Sequence, residues 1–130
     1  MRISAKLAPT FDYPELEQFW RSADELGFDA IWNYDHFYGL ADNATPTPSH
    51  GAPELWGEVN TRLGQACAEV GRDPAEIRRS VQIFLYPLQP EQVASQLDQL
   101  PRFAELGCEH AVLSFYQSPS AELLQRCAAL

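Results

Sequence analysis

The sequence is poor in basic residues. Of its 130 residues only 9 are Lys or Arg, against 18 Asp or Glu, so the formal net charge is −9 at pH 7. Because this charge repels phosphate backbones, we expect no nucleic-acid partner. An anionic small molecule is a different case, since a local group of cations can attract an anion within an acidic protein.

Long apolar runs are also lacking. No stretch approaches the ~18 residues that span a bilayer, so we expect no membrane association. The amino terminus carries only a short, alternating apolar stretch, which is too weak for a signal peptide, and we expect a cytoplasmic protein. The three cysteines, Cys67, Cys108 and Cys127, are widely spaced without a CxxC pair. This spacing predicts reduced, buried thiols rather than disulfides or a zinc site.

The common catalytic signatures are absent from the sequence. It contains no glycine-rich phosphate loop, no nucleophile elbow and no HExxH pattern. No metal site is therefore predicted. Any chemistry has to come from a less regular set of residues.

The pattern of elements points to one α/β domain over residues 1–130. A strand, a capped helix ending in Glu-Leu-Gly and a second strand occur twice, over residues 3–35 and 81–116. Strands joined by single crossover helices run parallel, and the right-handed crossover rule places both helices on one side if the sheet curls into a barrel. The sequence thus predicts two βαβ units with four parallel strands.

Between the two units, the segment 38–53 is rich in Pro, Asn, Thr, Ser and Gly and predicts a long rim loop. Helical spacing resumes over residues 54–70. In the second unit, Pro101 is expected to kink the helix over residues 90–106, because it removes a backbone donor. Ser118 and Pro119 predict the start of a closing helix.

Strand alternation separates the two faces of the predicted sheet. If Ile3, Ala5 and Leu7 face the helices, Lys6 faces the opposite side. The same alternation in the other strands can place three further polar side chains on the face of Lys6, namely Asn33, Gln82 and Ser114. An unpaired buried lysine is costly, so Lys6 should meet an acid such as Asp35, an anionic ligand or water.

Four aromatic residues on the strands allow two interpretations: Trp32, Tyr34, Phe84 and Tyr86. Their rings are suited to stacking on a planar ligand. Aromatic residues on parallel strands are, however, more often part of the core. His110 begins the fourth predicted strand, and we expect it to have a structural role rather than a catalytic one.

Three stretches carry a resemblance to a known family: residues 24–32 (DELGFDAIW), 35–37 (DHF) and 67–80 (CAEVGRDPAEIRRS). They resemble the luciferase-like monooxygenase family, and within it the deazaflavin-dependent oxidoreductases most. A complete member of that family is a (β/α)₈ barrel of roughly 250 residues. The resemblance therefore implies half of a TIM barrel, formed by the two ends of the family fold with the middle missing.

The resemblance also implies a cofactor and a site. The cofactor would be a deazaflavin of the F420 type or FMN, used for hydride transfer or monooxygenation. His36, with Asp35 beside it, would be the catalytic group at the strand rim, although both residues can equally cap the next turn. The residues expected to contact the cofactor are Lys6, Asn33, His36, Gln82 and Ser114.

The expected strand order, three-four-one-two, leaves an unpaired strand at each edge of the sheet. A second copy of the chain related by a two-fold axis could pair its strand two with strand three of its mate and close eight strands, so we expect a homodimer. Two functions remain open. The chain is either a luciferase-like oxidoreductase or a non-catalytic, truncated family member that acts as a homodimeric small-molecule-binding or structural module. If the sheet stays open as in flavodoxin, the rim site survives without this dimer.

Overall fold

A computed structural model describes residues 1–7, 12–32 and 52–130. Its strands are β1 (Arg2–Leu7), β2 (Ala30–Trp32), β3 (Ser80–Leu85) and β4 (His110–Phe115). Its helices are α1 (Tyr13–Glu25), α2 (Pro53–Glu69), α3 (Pro90–Leu97), α4 (Leu100–Glu105) and α5 (Ala121–Ala128), with a 3₁₀ turn at Pro74–Glu76. The predicted rim loop over 38–53 lies outside the described residues, apart from its last two positions.

The four strands form one parallel sheet in the order β2-β1-β4-β3. This confirms the α/β class and the strand order expected from the sequence. The register aligns the amino ends of the three long strands, because Arg2 and Ser80 both lie beside His110. Their carboxyl ends therefore meet at the same edge, where Leu7 and Leu85 both lie beside Phe115.

Helix α1 forms where its capping residues specify it. The Asp12 carboxylate accepts a hydrogen bond from the Glu15 amide at 3.0 Å, which satisfies one of the free donors of the first turn. Gly27 then ends the helical segment with φ of +78°, a conformation that costs other residues more than glycine.

The second βαβ unit contains a broken helix. Pro101 has no amide hydrogen, so it cannot bond the carbonyl of Leu97 one turn earlier, and its ring crowds that carbonyl. Helix α3 ends at Leu97 and α4 begins at Leu100. The sequence predicts one helix with a kink at Pro101; the structure shows two helices instead, with the interruption one turn before the proline.

The core lies on one face of the sheet. Ile3, Ala5 and Leu7 from β1 and Ala111, Leu113 and Phe115 from β4 are buried there, together with Val81, Ile83 and Leu85 from β3. Side chains of α1, α3, α4 and α5 pack against this face, with Phe19, Val93, Phe103 and Leu124 among the buried ones. The crossover helices therefore cover one side of the sheet, as the right-handed rule predicts.

The three cysteines are buried and unpaired, as predicted. Burial raises the pKa of the Cys127 thiol to about 11 and raises that of Cys108, so these thiols stay protonated at neutral pH. Among the described helices, none is both long and apolar enough to cross a membrane.

Candidate ligand site on the open face of the sheet

The sheet face opposite the core carries polar and aromatic side chains, and we call it the open face. Alternation along the strands places these residues on it: Arg2, Ser4, Lys6, Ala30, Trp32, Ser80, Gln82, Phe84, His110, Val112 and Ser114. The helices of the described core pack against the other face. A depression of about 470 Å³ lies over the open face, which is within the size range of small-molecule sites.

Positive charge gathers around this depression. Its described lining includes Arg2, Lys6 and Arg78 but a single acidic residue, Asp29. In a chain with twice as many acidic as basic residues, this local excess of cations is the reverse of the overall composition. It makes the open face suited to an anionic group.

Asp29 is held in place by the first strand. Its Oδ2 accepts a hydrogen bond from the Ile3 amide at 2.8 Å, and its own amide donates to the Ile3 carbonyl at 2.9 Å. The carboxylate therefore acts as a structural clamp between β1 and the start of β2. Among the described lining residues, Asp29 therefore has a structural role as well as its charge.

His110 lies in the amino-terminal row of the open face, and it is buried. Its Nε2 and the Ser4 hydroxyl are 2.6 Å apart, and both side chains are almost fully shielded from water. Burial lowers the pKa of His110, and the charges of Arg78 and Arg2 lower it further, while Asp29 opposes the shift. The imidazole is therefore neutral at pH 7.

A second polar pair lies one row further along the strands. The Gln82 side-chain amide donates to the Ser114 hydroxyl at 2.7 Å, and Ser114 lies beside Lys6 in the register of β1 and β4. Lys6 in turn lies beside Trp32 of β2, whose indole is 46% exposed and tilted toward the His110 ring at a centroid distance of 6.2 Å. A planar ligand can reach this indole from solvent.

Aromatic rings occupy the carboxyl end of β3 and β4. Phe84 and Tyr116 meet edge to face at 5.4 Å, and Tyr86 stacks on Tyr116 at 5.1 Å. These residues are partly exposed and lie outside the hydrophobic core. Lys6 and Phe84 both lie beside Ser114, and Arg2 lies four positions before Lys6 in β1, so Arg2 is about 13 Å from the row that contains Phe84.

The structure brings three of the predicted site residues together. Lys6, Gln82 and Ser114 share the open face, as the strand alternation predicts, and two of them are hydrogen-bonded to each other. Asn33, Asp35 and His36 lie outside the described residues. The predicted pairing of Lys6 with Asp35 is likewise not described.

Sequence reasoning overlooked three residues of this face as site candidates. Arg2 is the first residue of β1 and follows the same alternation as Lys6, so its position was open to prediction. Arg78 stands out in the sequence only as half of an Arg-Arg pair. His110 was expected to be structural, and its buried bond to Ser4 agrees with that reading, but its ring also lines the depression.

Comparisons with known proteins found no match to the chain among family models, curated proteins or solved structures. Among the described residues, no group of His, Cys, Asp and Glu is arranged to hold a metal ion.

Proposed function

We propose that the chain binds an anionic planar cofactor of the flavin or deazaflavin class on the open face, and that it is a luciferase-like oxidoreductase whose four strands form half of a barrel. The observation that carries the proposal is the gathering of Arg2, Lys6 and Arg78 beside an exposed Trp32 in an otherwise acidic protein. The motifs in residues 24–37 and 67–80 support the same class.

The residues present fit such a cofactor. Guanidinium groups bind phosphate through charge-assisted hydrogen bonds, and Arg2 and Arg78 are the arginines beside the depression. The Trp32 indole offers a flat apolar surface for a ring system, and the Gln82 amide supplies both a donor and an acceptor for its polar edge. The phosphate would be held by side chains, because the sequence has no glycine-rich loop for it.

When bound, the cofactor supplies hydride transfer, and the protein has to position it and exchange a proton nearby. Neutral His110 is hydrogen-bonded to Ser4 and lies next to Trp32, so it is placed to orient a ligand through its ring. The resemblance assigns the proton-exchanging role to His36, with Asp35 beside it. We also retain the expectation of a cytoplasmic location, which three unpaired thiols favour.

A titration with FMN and with riboflavin tests the binding directly. The two ligands share the ring, but only FMN carries the phosphate, so we expect FMN to bind at least about tenfold more tightly. The difference should shrink as salt is added, because screening weakens the contact between the phosphate and the arginines. Equal affinities for the two ligands would contradict the role of the cations.

The variant Arg78→Gln should weaken FMN binding by about tenfold, since one charge-assisted contact is lost. Arg126→Gln is the matched control, because Arg126 is an exposed arginine on α5, on the other side of the sheet. It makes the same change in net charge and should leave the affinity unchanged. Equal losses in both variants would show a general charge effect instead of a site.

The alternative function is binding without turnover. Among the described residues, the histidine that lines the depression is His110, and it is already engaged by Ser4. If the reduced cofactor is oxidised by O₂ no faster on the protein than in solution, the non-catalytic binding module is the better description. A clear acceleration that is lost in His36→Ala would favour the oxidoreductase.

A further inference from the structure

Both edges of the described sheet lack a strand partner among the described residues. β2 pairs with β1 on one side, and β3 pairs with β4 on one side. On β3, the Ser80 carbonyl already accepts a hydrogen bond from the Trp56 indole at 3.2 Å, and the Phe84 carbonyl accepts one from the Gln92 side chain at 2.9 Å. The stretch of β3 between these two carbonyls is therefore the part that a further strand could bond. In a parallel sheet, such a strand has to run in the same direction as its neighbour.

The β3 edge is bordered by a groove. We call this the α2 groove: it has a volume of about 200 Å³ and is lined by Trp56, Val59, Asn60, Leu63, Arg78, Arg79 and Ser80. The Trp56 indole donates to the Ser80 carbonyl at 3.2 Å, which fixes α2 beside the start of β3. Val59 is 50% exposed in this groove. An apolar helix surface is thus left open next to an open strand edge.

The β2 edge has the complementary features. Ile31 lies on the core face of the sheet and is only partly buried, while Trp32 lies on the open face. If β2 of another molecule extended the sheet beyond β3, its Ile31 would face the helix side, where Val59 and Leu63 line the groove. Its Trp32 would face the same side as Gln82 and Phe84.

Charge favours the same pairing. Asp29 immediately precedes β2, and Arg78 lies two residues before β3. Paired parallel strands have their amino ends at the same end of the sheet. Asp29 of one copy would therefore approach Arg78 of the other. The exposed acids Asp24 and Glu25, at the end of α1, add to the negative charge of that end.

We propose that a second copy of this chain docks at the β3 edge by inserting its β2 beside the α2 groove, and that a two-fold axis makes the same contact twice. Four strands from each copy then close a barrel of eight, a size at which side chains fill the interior or leave room for one small ligand. The two open faces then line the interior of the barrel, to which each copy contributes Lys6, Gln82 and His110. This assembly follows from the fold and does not depend on which ligand binds.

Sedimentation and light scattering with two valine variants test the proposal. The wild-type chain should have twice its 14.6 kDa mass at micromolar concentration. Val59→Glu puts a charge into the groove and should raise the dimer dissociation constant at least about tenfold. Val70→Glu is the control, because Val70 is 77% exposed and does not line the groove; this variant should remain dimeric.

Hydrogen exchange keeps the proposal testable if Val59→Glu fails to fold. The β3 amides that do not bond to β4 should be protected at high protein concentration and should exchange faster on dilution. A folded monomer at roughly 100 μM would overturn the proposal, whether or not those amides are protected. So would a dimer that both valine variants leave equally intact.

Discussion

The pair formed by Ser4 and His110 shows how a single buried contact shapes the open face. Both side chains are shielded from water, yet both are polar, and each serves as the hydrogen-bond partner of the other. A buried polar group without a partner costs more free energy than its bond contributes. The pair therefore ties β1 to β4 and fixes the imidazole beside the depression.

Replacing Ser4 by Ala should lower the free energy of unfolding by about 1–2 kcal/mol, because the His110 ring loses its partner in a buried position. Ser80→Ala is the matched control, since the Ser80 side chain is exposed on the same face. Its effect should stay within about 0.5 kcal/mol. Urea denaturation of both variants measures the difference, and equal effects would show that the contact contributes nothing specific.

The lowered pKa of His110 predicts how stability depends on pH. The unfolded chain takes up a proton at its normal pKa of about 6.5, whereas the buried imidazole resists protonation until the pH is lower. Stability supplied by neutral His110 is therefore present above about pH 6.5 and falls as the pH drops toward the folded-state pKa. The free energy of unfolding of His110→Gln should lack this part of the slope between about pH 7.5 and 5.

At the scale of residues, the face on which a side chain lies can be predicted from the two-residue period of a strand. Lys6, Gln82 and Ser114 could be placed on one face because strand side chains alternate. The bond between Gln82 and Ser114 could not be foreseen, since it depends on the register of two strands 32 positions apart in sequence. The cationic group formed by Arg2 and Arg78 depends on the same register.

The elements are specified mainly by their ends. α1 starts at the Asp12 cap and β4 covers His110–Phe115, as the sequence predicts. The start of α5 was predicted wrongly: Ser120, and not Ser118 with Pro119, caps this helix by accepting from the Leu123 amide at 3.1 Å. Two serines lie near this helix start in the sequence, and only the backbone conformation decides which hydroxyl reaches the third amide of the helix.

Two glycine substitutions test the conformations of α1 and α2. Gly27→Ala should destabilise the protein by about 1 kcal/mol, because φ at this position is +78°. Gly64→Ala should stabilise it by up to about 1 kcal/mol, because Gly64 lies inside α2 and an added Cβ meets no atom within 4 Å. Thermal unfolding measures both changes, and shifts of the same sign would contradict these backbone assignments.

At the scale of the whole molecule, helices and ligand site lie on opposite faces of one sheet. The apolar residues of the strands alternate with the polar ones, so the face that builds the core cannot also carry the site. The sequence predicts this division through its two βαβ units. It does not reveal the open depression itself, because a cavity arises from side chains of all four strands.

The central claim is that the open face is the ligand-binding face, and the indole resonances of the three tryptophans test it most directly. Trp32 lies on the open face, whereas Trp20 and Trp56 pack against the core from the helix side. In a ¹⁵N-correlated NMR titration with FMN, the Trp32 indole and the Gln82 side-chain amide should shift while the Trp20 indole stays in place. A shift of Trp20 without Trp32, or no shift at FMN concentrations up to about 1 mM, would contradict the claim.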